Sequence, residues 1–170
     1  HQLKQFVHDL NQYKKDYNLI DFTDMITEFI KSDRSPRFDV VFIDEAQDLS
    51  QTQWGMAKSI WDKTEHTYLA GDDDQAIFRW AGADVDSFIA QTGKIVQLTQ
   101  SYRIPQVVHD VASRIVNKIQ KRLPKEWRPK TQRGLLSYHD DFEQINMKQG
   151  NWLVLARTKF MLNDLENHLY

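Results

Sequence analysis

A short apolar run that turns abruptly acidic limits the folds open to this chain. Residues 38–50 read FDVVFIDEAQDLS, in which four consecutive apolar residues precede Asp44 and Glu45, and Asp48 follows. A continuous apolar run of this kind is typical of a central strand in a parallel sheet, which is buried on both faces. In open parallel sheets, ligands bind outside the carboxyl ends of the strands. The sequence therefore predicts that Asp44 and Glu45 lie at a ligand-binding edge.

Strands that alternate with helices predict an α/β fold for most of the chain. The predicted strands are 38–43, 67–71 and 94–98. The predicted helices are two within 1–31 and one each at 50–62, 84–91 and 105–123, with Ser50 as a cap and Pro105 at a first helical position. This alternation favours βαβ units and a parallel sheet.

The chain changes character after residue 123. Residues 124–134 are rich in Lys, Arg and Pro without periodicity, which predicts a linker or exposed loop. Strands are predicted at 135–139 and 151–157, followed by a helix at 159–170, so that a second unit begins and is left unfinished. The net charge of −2, the absence of cysteine and the lack of a long apolar run lead us to expect a soluble intracellular protein without a membrane segment.

The ends of the predicted strands carry residues suited to metal-assisted phosphoryl transfer. One carboxylate after the first strand would hold Mg²⁺, usually through its water, and the other would activate a nucleophilic water. After the second strand, Gly71 allows a sharp turn and Gln75 supplies an amide able to reach a phosphate or the attacking water. After the third, Arg103 is placed to neutralise charge that develops on a transferring phosphoryl group.

Three of these segments resemble motifs of UvrD/Rep-type superfamily 1 DNA helicases. VVFIDEAQD resembles the DExQD Walker B motif, LAGDDDQAIFRWAGA resembles GDDDQSIYxWRGA, and LTQSYR resembles LxxNYR, in the same order. LIDFTDMI at 19–26 is similar to the IDFxDLL segment of that family. The chain departs from the pattern at Ala81, where the family has Arg, and at Ser101, where it has Asn.

The resemblance implies a RecA-like P-loop NTPase motor with a parallel sheet, present here in part. Residues 1–123 would be the C-terminal part of the first motor domain (1A), with helices of the 1B/1A boundary at 1–31. Residues 124–134 would be a linker, and 135–170 the start of the second motor domain (2A).

The resemblance also implies roles for individual residues toward ATP and Mg²⁺. Asp44 would hold Mg²⁺, through water, and Glu45 would be the catalytic base. Gln47 and Gln75 would sense the γ-phosphate of ATP, and Arg103 would contact it. For Asp48, a functional role within the motif and a structural role as a cap or loop salt bridge are equally well supported. The acids Asp72, Asp73 and Asp74 would shape the turn and couple nucleotide to DNA, without binding metal directly.

Two residues of the second motif are expected to contact DNA. In the family, the Trp of this motif stacks on a base of single-stranded DNA, and Trp80 occupies that position. Arg79 would replace the contact of the absent Arg or face solvent. Phe78 matches a Tyr of the pattern and is expected to pack against the sheet.

No G-x-x-x-x-G-K-[ST] phosphate loop occurs in the sequence, although the family carries one upstream. We therefore expect a fragment of an ATP-dependent DNA helicase or translocase, acting on single-stranded DNA and on junctions with duplex. We also expect its parent to supply the Walker A part and the rest of 2A. This fragment alone should hydrolyse little ATP.

Three other functions remain open at this point. The fragment could belong to a helicase–nuclease repair enzyme built on the same motor. The five acids Asp44, Glu45 and Asp72 to Asp74 could form a two-metal nuclease centre, although Gln47, Gln75 and Arg103 argue against it. Trp80 and the basic run 118–130 could instead serve a non-catalytic single-strand-binding module.

Overall fold

The computed structural model describes residues 2–169. Its helices are α1 (Gln2–Asp16), α2 (Phe22–Ser32), α3 (Gln51–Trp61), α4 (Val85–Ile89), α5 (Gln106–Val116) and α6 (Asn163–Leu169), and its strands are β1 (Val40–Ile43) and β2 (His66–Leu69). The described chain divides into two compact units, 2–99 with 113–127 and 100–112 with 128–169. The predicted helices at 1–31 and 159–170 include His1 and Tyr170, which lie outside the described residues.

The sheet is small and parallel, as the alternation of strands and helices predicted, but β1 is not buried on both faces as its apolar run predicted, because Val40 is 42% exposed and Phe42 is 76% exposed. In the first unit, β1 and β2 pair in register from Val40 opposite His66 to Ile43 opposite Leu69. Two further backbone bonds continue the pairing, because the Ala70 amide donates to Ile43 O at 2.8 Å and the Ala46 amide donates to Ala70 O at 3.0 Å. The segments that follow β1 and β2 therefore lie side by side just beyond the carboxyl ends of the two strands.

Three predicted strands are wrong for the described residues. Segments 94–98, 135–139 and 151–157 contain no strand, and the apolar side chain of Leu98 is 91% exposed. An apolar run favours extended backbone, but a strand also needs a neighbour to accept and donate its ladder hydrogen bonds. No described segment provides that neighbour. The Gln97 side chain instead donates to Pro124 O at 2.8 Å.

Helix α3 forms where its cap and apolar face predicted it. The Ser50 hydroxyl accepts from the Gln53 amide and the Gln53 side chain accepts from the Ser50 amide, which completes a capping box. Trp54 and Ala57 are each only 7% exposed on its inner face. A Cβ built on Gly55 would meet Ile30 Cδ1 at 3.3 Å, so α2 and α3 pack closely there.

Helix α5 is shorter than predicted. It begins one residue after Pro105, whose carbonyl accepts from the His109 amide at 3.0 Å, and it ends at Val116 instead of continuing to 123. The segment that follows is held by contacts of Arg122 and Lys125 with the acids after β2. Helix α6 is found where predicted, preceded by a 3₁₀ turn at Lys159–Leu162.

Within residues 2–169, none of the helices has the length and apolar character needed to cross a membrane. The division into motor domains at 124–134 stays a prediction.

We predict that Trp54→Ala destabilises the chain far more than Trp80→Ala. Trp54 is 7% exposed and Trp80 is 84% exposed, so only the first truncation leaves a cavity. Removing a buried Trp side chain costs about 3–5 kcal/mol, whereas an exposed substitution changes stability by about 0.5 kcal/mol or less. Urea denaturation followed by circular dichroism measures both. Equal losses for the two variants would contradict this placement of the core.

Candidate active site

The carboxyl ends of β1 and β2 lie next to each other and carry the predicted acids. Asp44 follows β1 directly, is exposed, and accepts a hydrogen bond from the Glu45 amide at Oδ1, 2.9 Å away. Its second oxygen, Oδ2, has no hydrogen bond from the described residues. Asp44 therefore presents a free carboxylate oxygen at the edge of the sheet.

Glu45 adopts a backbone conformation that few residues other than glycine adopt. Its φ of 51° and ψ of 38° lie in the left-handed region. Such conformations store strain and are found preferentially at functional sites. The exposed side chain accepts from Gln47 Nε2 at Oε2, 2.8 Å away, and leaves Oε1 without a hydrogen bond from the described residues. One oxygen is thus held and the other is available.

Gln47 bridges the two strand ends from a buried position. It is only 1% exposed, and both ends of its amide are used. Nε2 donates to Glu45, and Oε1 accepts from the Asp72 amide at 3.0 Å, just beyond β2. Its direct contact with the γ-phosphate, which the resemblance implied, stays a prediction. The structure places Gln47 as the link between the two loops.

Gly71 is required for a reason different from the predicted sharp turn. It is not among the glycines with positive φ. A Cβ at this position would instead lie 2.5 Å from Gln47 Oε1 and 3.0 Å from Phe88 Cζ. The absence of a side chain lets the backbone after β2 approach the buried amide of Gln47.

The acids after β2 form a tight 3₁₀ turn that also holds Gln75. The Asp72 carboxylate caps the turn by accepting from the Asp74 amide at 3.1 Å. Its other oxygen, Oδ2, accepts from Gln75 Nε2 at 2.6 Å. Gln75 itself is exposed. The structure therefore orients the Gln75 amide through Asp72.

Two cations far along the sequence neutralise this acidic turn, and no local pattern in the sequence predicted either contact. Lys125 Nζ lies 2.6 Å from Asp72 Oδ1 and 3.3 Å from Asp74 Oδ2, and also contacts Asp73. Arg122 makes a bidentate pair with Asp74, at 2.7 and 2.6 Å. Both cations belong to the first unit, as do the acids. We call these five residues the acid–base cluster.

The cluster also alters proton affinities. Partial burial raises the pKa of Asp72, but hydrogen bonds from Lys125 and Gln75 outweigh it, so the pKa lies below its usual range. Burial lowers the pKa of Lys125, yet its bonds to Asp72 and Asp73 shift it above the usual value. Among residues 2–169, no group of three His, Asp or Glu side chains is arranged to hold a metal ion. The acidic turn is thus occupied by cations of the chain itself.

Trp80 is exposed on the loop that Gln75 begins. It sits in a 3₁₀ turn, Arg79–Ala81, and is 84% exposed, which excludes a core role within the described structure. Phe78, expected to pack against the sheet, is also exposed, though less so than Trp80. The Arg79 guanidinium pairs with Asp86 at 3.2 Å, and Lys121 pairs with the other oxygen of Asp86 at 2.6 Å. A contact of Arg79 with DNA would compete with this pair.

The far end of the Trp80 loop is tied to the residues after β1. The Asp84 amide donates to Leu49 O at 2.8 Å, and Ser50 and Ala83 form an isolated antiparallel bridge. The buried Trp54 indole donates to Asp84 O at 3.2 Å. The loop that carries Gln75 and Trp80 is therefore anchored at both of its ends to the segment that carries Glu45 and Gln47.

The two remaining predicted residues have different surroundings. Arg103 lies in the second unit, is exposed, and donates its amide to the Ser101 hydroxyl at 3.4 Å. Its approach to the γ-phosphate stays a prediction. Asp48 carries a buried oxygen, Oδ1, that has no hydrogen bond from the described residues. A cap or salt bridge at Asp48 is therefore not seen in this structure.

Comparison with known proteins gives the family. The family model for the UvrD/REP helicase N-terminal domain matches residues 1–95. The chain belongs to the UvrD/REP helicase family. Among its relatives, the protein named ATP-dependent DNA helicase PcrA from Bacillus subtilis (strain 168) is 27% identical over 135 residues, which cover 71% of this chain and 18% of that protein.

Other relatives in the UvrD/REP helicase family show the same partial coverage. The PcrA helicase of Leuconostoc citreum is 25% identical over 74% of this chain, and that of Staphylococcus aureus (strain COL) is 26% identical over 71%. The chain spans about a fifth of the length of these relatives.

We predict that the acid–base cluster stabilises this UvrD/REP domain only while Asp72 and Lys125 are both charged. The lowered pKa of Asp72 means that its contribution is fully present above the unfolded value of about 3.9 and is lost as the pH falls through the folded pKa. The raised pKa of Lys125 means that its contribution is fully present below about 10.4 and is lost as the pH rises through its folded pKa.

The measurement compares the free energy of unfolding of the wild type and Lys125→Met across pH. We expect Lys125→Met to lower the free energy of unfolding by about 2 kcal/mol at neutral pH. This loss is smaller than the usual cost of breaking a fully buried ion pair, because Lys125 keeps some solvent contact. The difference should shrink below about pH 4. A difference that persists unchanged to about pH 2 would show that the cluster is not held by charge.

Proposed function

We propose that this chain is part of an ATP-dependent DNA helicase or translocase, which couples ATP hydrolysis to movement along single-stranded DNA and to duplex unwinding. The observation that carries the proposal is one path of hydrogen bonds, which runs from Glu45 through Gln47 and Asp72 to Gln75. The loop that carries Gln75 also presents Trp80 to solvent. The names of its relatives, ATP-dependent DNA helicase PcrA, support the same function. The protein would work inside the cell on DNA.

The residues after β1 suit the Mg²⁺ that accompanies ATP. Magnesium prefers oxygen ligands, keeps several waters, and is bound by one or two carboxylates together with substrate phosphates. Asp44 offers an exposed carboxylate with a free oxygen, and so would hold the ion through water. The ion would neutralise charge on the phosphates.

Glu45 is placed to act as the general base. Its Oε2 is held by a hydrogen bond from Gln47 Nε2, 2.8 Å away. Oε1 is left to accept a proton from the attacking water. Because Gln47 is buried and its own amide is fixed by the Asp72 backbone, the carboxylate is oriented before substrate binds.

Gln75 and Arg103 would act at the γ-phosphate. Gln75 Nε2 is bound to Asp72, which fixes the amide plane and leaves its oxygen free to orient the water. Arg103 is exposed just before α5 and would neutralise the charge that develops on the phosphoryl group. The phosphate cradle would come from a Walker A segment of the longer protein, and the rest of domain 2A would complete the motor.

Trp80 would stack on a base of single-stranded DNA or of a junction, with Arg79 beside it. Exposed aromatic side chains bind bases without sequence preference, because every base has a π-face. Gln75 and Trp80 are five residues apart on one anchored loop. A shift of Gln75 at the phosphate would therefore move Trp80 at the base.

The geometry is less favourable to the two alternatives from other classes. In a two-metal nuclease, Asp72 to Asp74 would have to bind cations that Arg122 and Lys125 already replace. In a non-catalytic binding module, the basic run 118–130 would have to be free, yet Lys121, Arg122 and Lys125 are engaged with acids of the same unit. A helicase–nuclease would use the same motor and the same residues.

We predict that Glu45→Gln in the full-length protein abolishes most ATP hydrolysis and retains ATP binding. The substitution removes the base but keeps the side-chain shape and the contact with Gln47. General base catalysis contributes about 10²–10⁴-fold, so the turnover number should fall by that factor. A phosphate-release assay gives turnover, and a fluorescent ATP analogue gives affinity. Glu28→Gln, on the exposed face of α2, is the matched control. Wild-type turnover by Glu45→Gln would remove Glu45 from this role.

We predict that Trp80→Ala in the full-length protein weakens binding of single-stranded DNA by about 1–3 kcal/mol, the usual value of base–aromatic stacking. Stimulation of ATP turnover by DNA should fall with it, whereas turnover without DNA should change little. Fluorescence anisotropy with a labelled oligonucleotide measures the affinity. Trp152→Ala, also exposed but in the second unit, should behave as wild type. Normal DNA affinity of Trp80→Ala would exclude the stacking role.

A further inference from the structure

We propose that Lys125 is a positioning residue for ATP hydrolysis, which holds the Gln75 amide in place through the Asp72 carboxylate. Lys125 lies outside the segments that resemble helicase motifs, 50 residues after Gln75. The inference rests on the proposed function, because it assigns a purpose to Lys125 only if Gln75 acts on the γ-phosphate or its water.

The two contacts fall on opposite oxygens of one carboxylate. Gln75 Nε2 donates to Asp72 Oδ2 at 2.6 Å, and Lys125 Nζ donates to Asp72 Oδ1 at 2.6 Å. The Asp74 amide also donates to Oδ1, at 3.1 Å. Since both oxygens are occupied, the carboxylate cannot rotate without losing a charge-assisted bond. Lys125 therefore fixes the acceptor on which the orientation of Gln75 depends.

Charge repulsion gives the reason that Lys125 is needed. Three consecutive carboxylates lie at the cap and in the first two positions of one 3₁₀ turn, and Asp73 is buried. Lys125 is the cation that contacts all three of them. Without it, Asp72 would be repelled by its neighbours and would turn toward water. Gln75, which is exposed, would then lose its fixed partner.

Lys125 is itself held rigidly enough to serve this purpose. Its side chain is 20% exposed, the residues before it are fixed to the same turn, and the residue after it is bonded to Gln97. The Leu123 amide donates to Asp73 Oδ2 at 2.7 Å, and Arg122 binds both oxygens of Asp74. The Glu126 amide donates to Gln97 Oε1 at 3.4 Å. The ammonium group is thus presented from an ordered backbone.

A purely structural role for Lys125 predicts a different result, and a double-variant experiment separates the two. The full-length helicase is compared as wild type, Lys125→Met, Gln75→Ala and the double variant, with saturating single-stranded DNA. We expect Gln75→Ala to lower kcat by about 10²-fold or more. We expect Lys125→Met to lower kcat by about 10- to 100-fold, with KM for ATP within about threefold of wild type.

The double variant should be no slower than Gln75→Ala, within about threefold, because Lys125 has nothing to position once the amide is gone. Multiplication of the two losses would overturn the inference and leave Lys125 a structural residue. Lys118→Met removes the same charge from the same segment, where Lys118 is exposed and makes no ion pair with the described residues. It should keep wild-type kcat.

A conservative variant protects the test against loss of folding. Asp72→Asn keeps the size of the side chain and leaves Lys125 paired with Asp73 and Asp74. It should lower kcat and should also fail to add to Gln75→Ala. Wild-type kcat for Asp72→Asn, or for a folded Lys125→Met, would overturn the inference.

The experiment also separates failure of this inference from failure of the proposed function. If the wild-type protein does not hydrolyse ATP, the proposed function is wrong and the role of Lys125 fails with it. If the wild type hydrolyses ATP but Gln75→Ala keeps full turnover, the role proposed for Gln75 is wrong, and the role of Lys125 fails although the proposed function stands. If Gln75→Ala loses turnover and Lys125→Met does not, only the positioning role is wrong.

Discussion

The buried amide of Gln47 is the constraint on which the rest of the site depends. A side-chain amide that leaves water must make hydrogen bonds at both ends, or it destabilises the fold by about 1–3 kcal/mol per unsatisfied group. Gln47 meets this requirement by donating to Glu45 and by accepting from the Asp72 backbone. Gly71 makes the second bond geometrically feasible, since any Cβ there would overlap the amide oxygen. The backbone after β1 and the backbone after β2 are therefore held at a fixed separation.

A second constraint follows from placing three acids in the turn that Gln47 holds. Asp73 is buried and Asp74 nearly so, which would be unfavourable without cations. Arg122 and Lys125 supply them from 48 and 53 residues along the chain. These contacts hold the segment that follows Val116, where α5 ends.

Local signals in the sequence predicted the elements that depend on local interactions. The apolar run of β1, the Ser50 cap and the face of α3 each act within a few residues, and each is found. Strand 94–98 was wrong because an apolar run reports only a preference for extended backbone, whereas a strand also requires a partner. The pairs made by Arg122 and Lys125 were missed for the same reason: a basic run in a Pro-rich segment does not identify acids about 50 residues away.

The two tryptophans Trp54 and Trp80 are the same residue type in opposite surroundings, one buried in the core and the other exposed to solvent. Trp54 packs edge-on against Trp61, with ring centroids 5.9 Å apart, and its indole holds the Asp84 carbonyl. It thereby anchors the end of the loop that carries Trp80, which is exposed to solvent. An apolar ring left in water contributes nothing to the core, yet its loop is tied by backbone bonds at both ends. In the proposed motor, that rigid attachment is what lets a change at Gln75 reach Trp80 without being lost in loop motion.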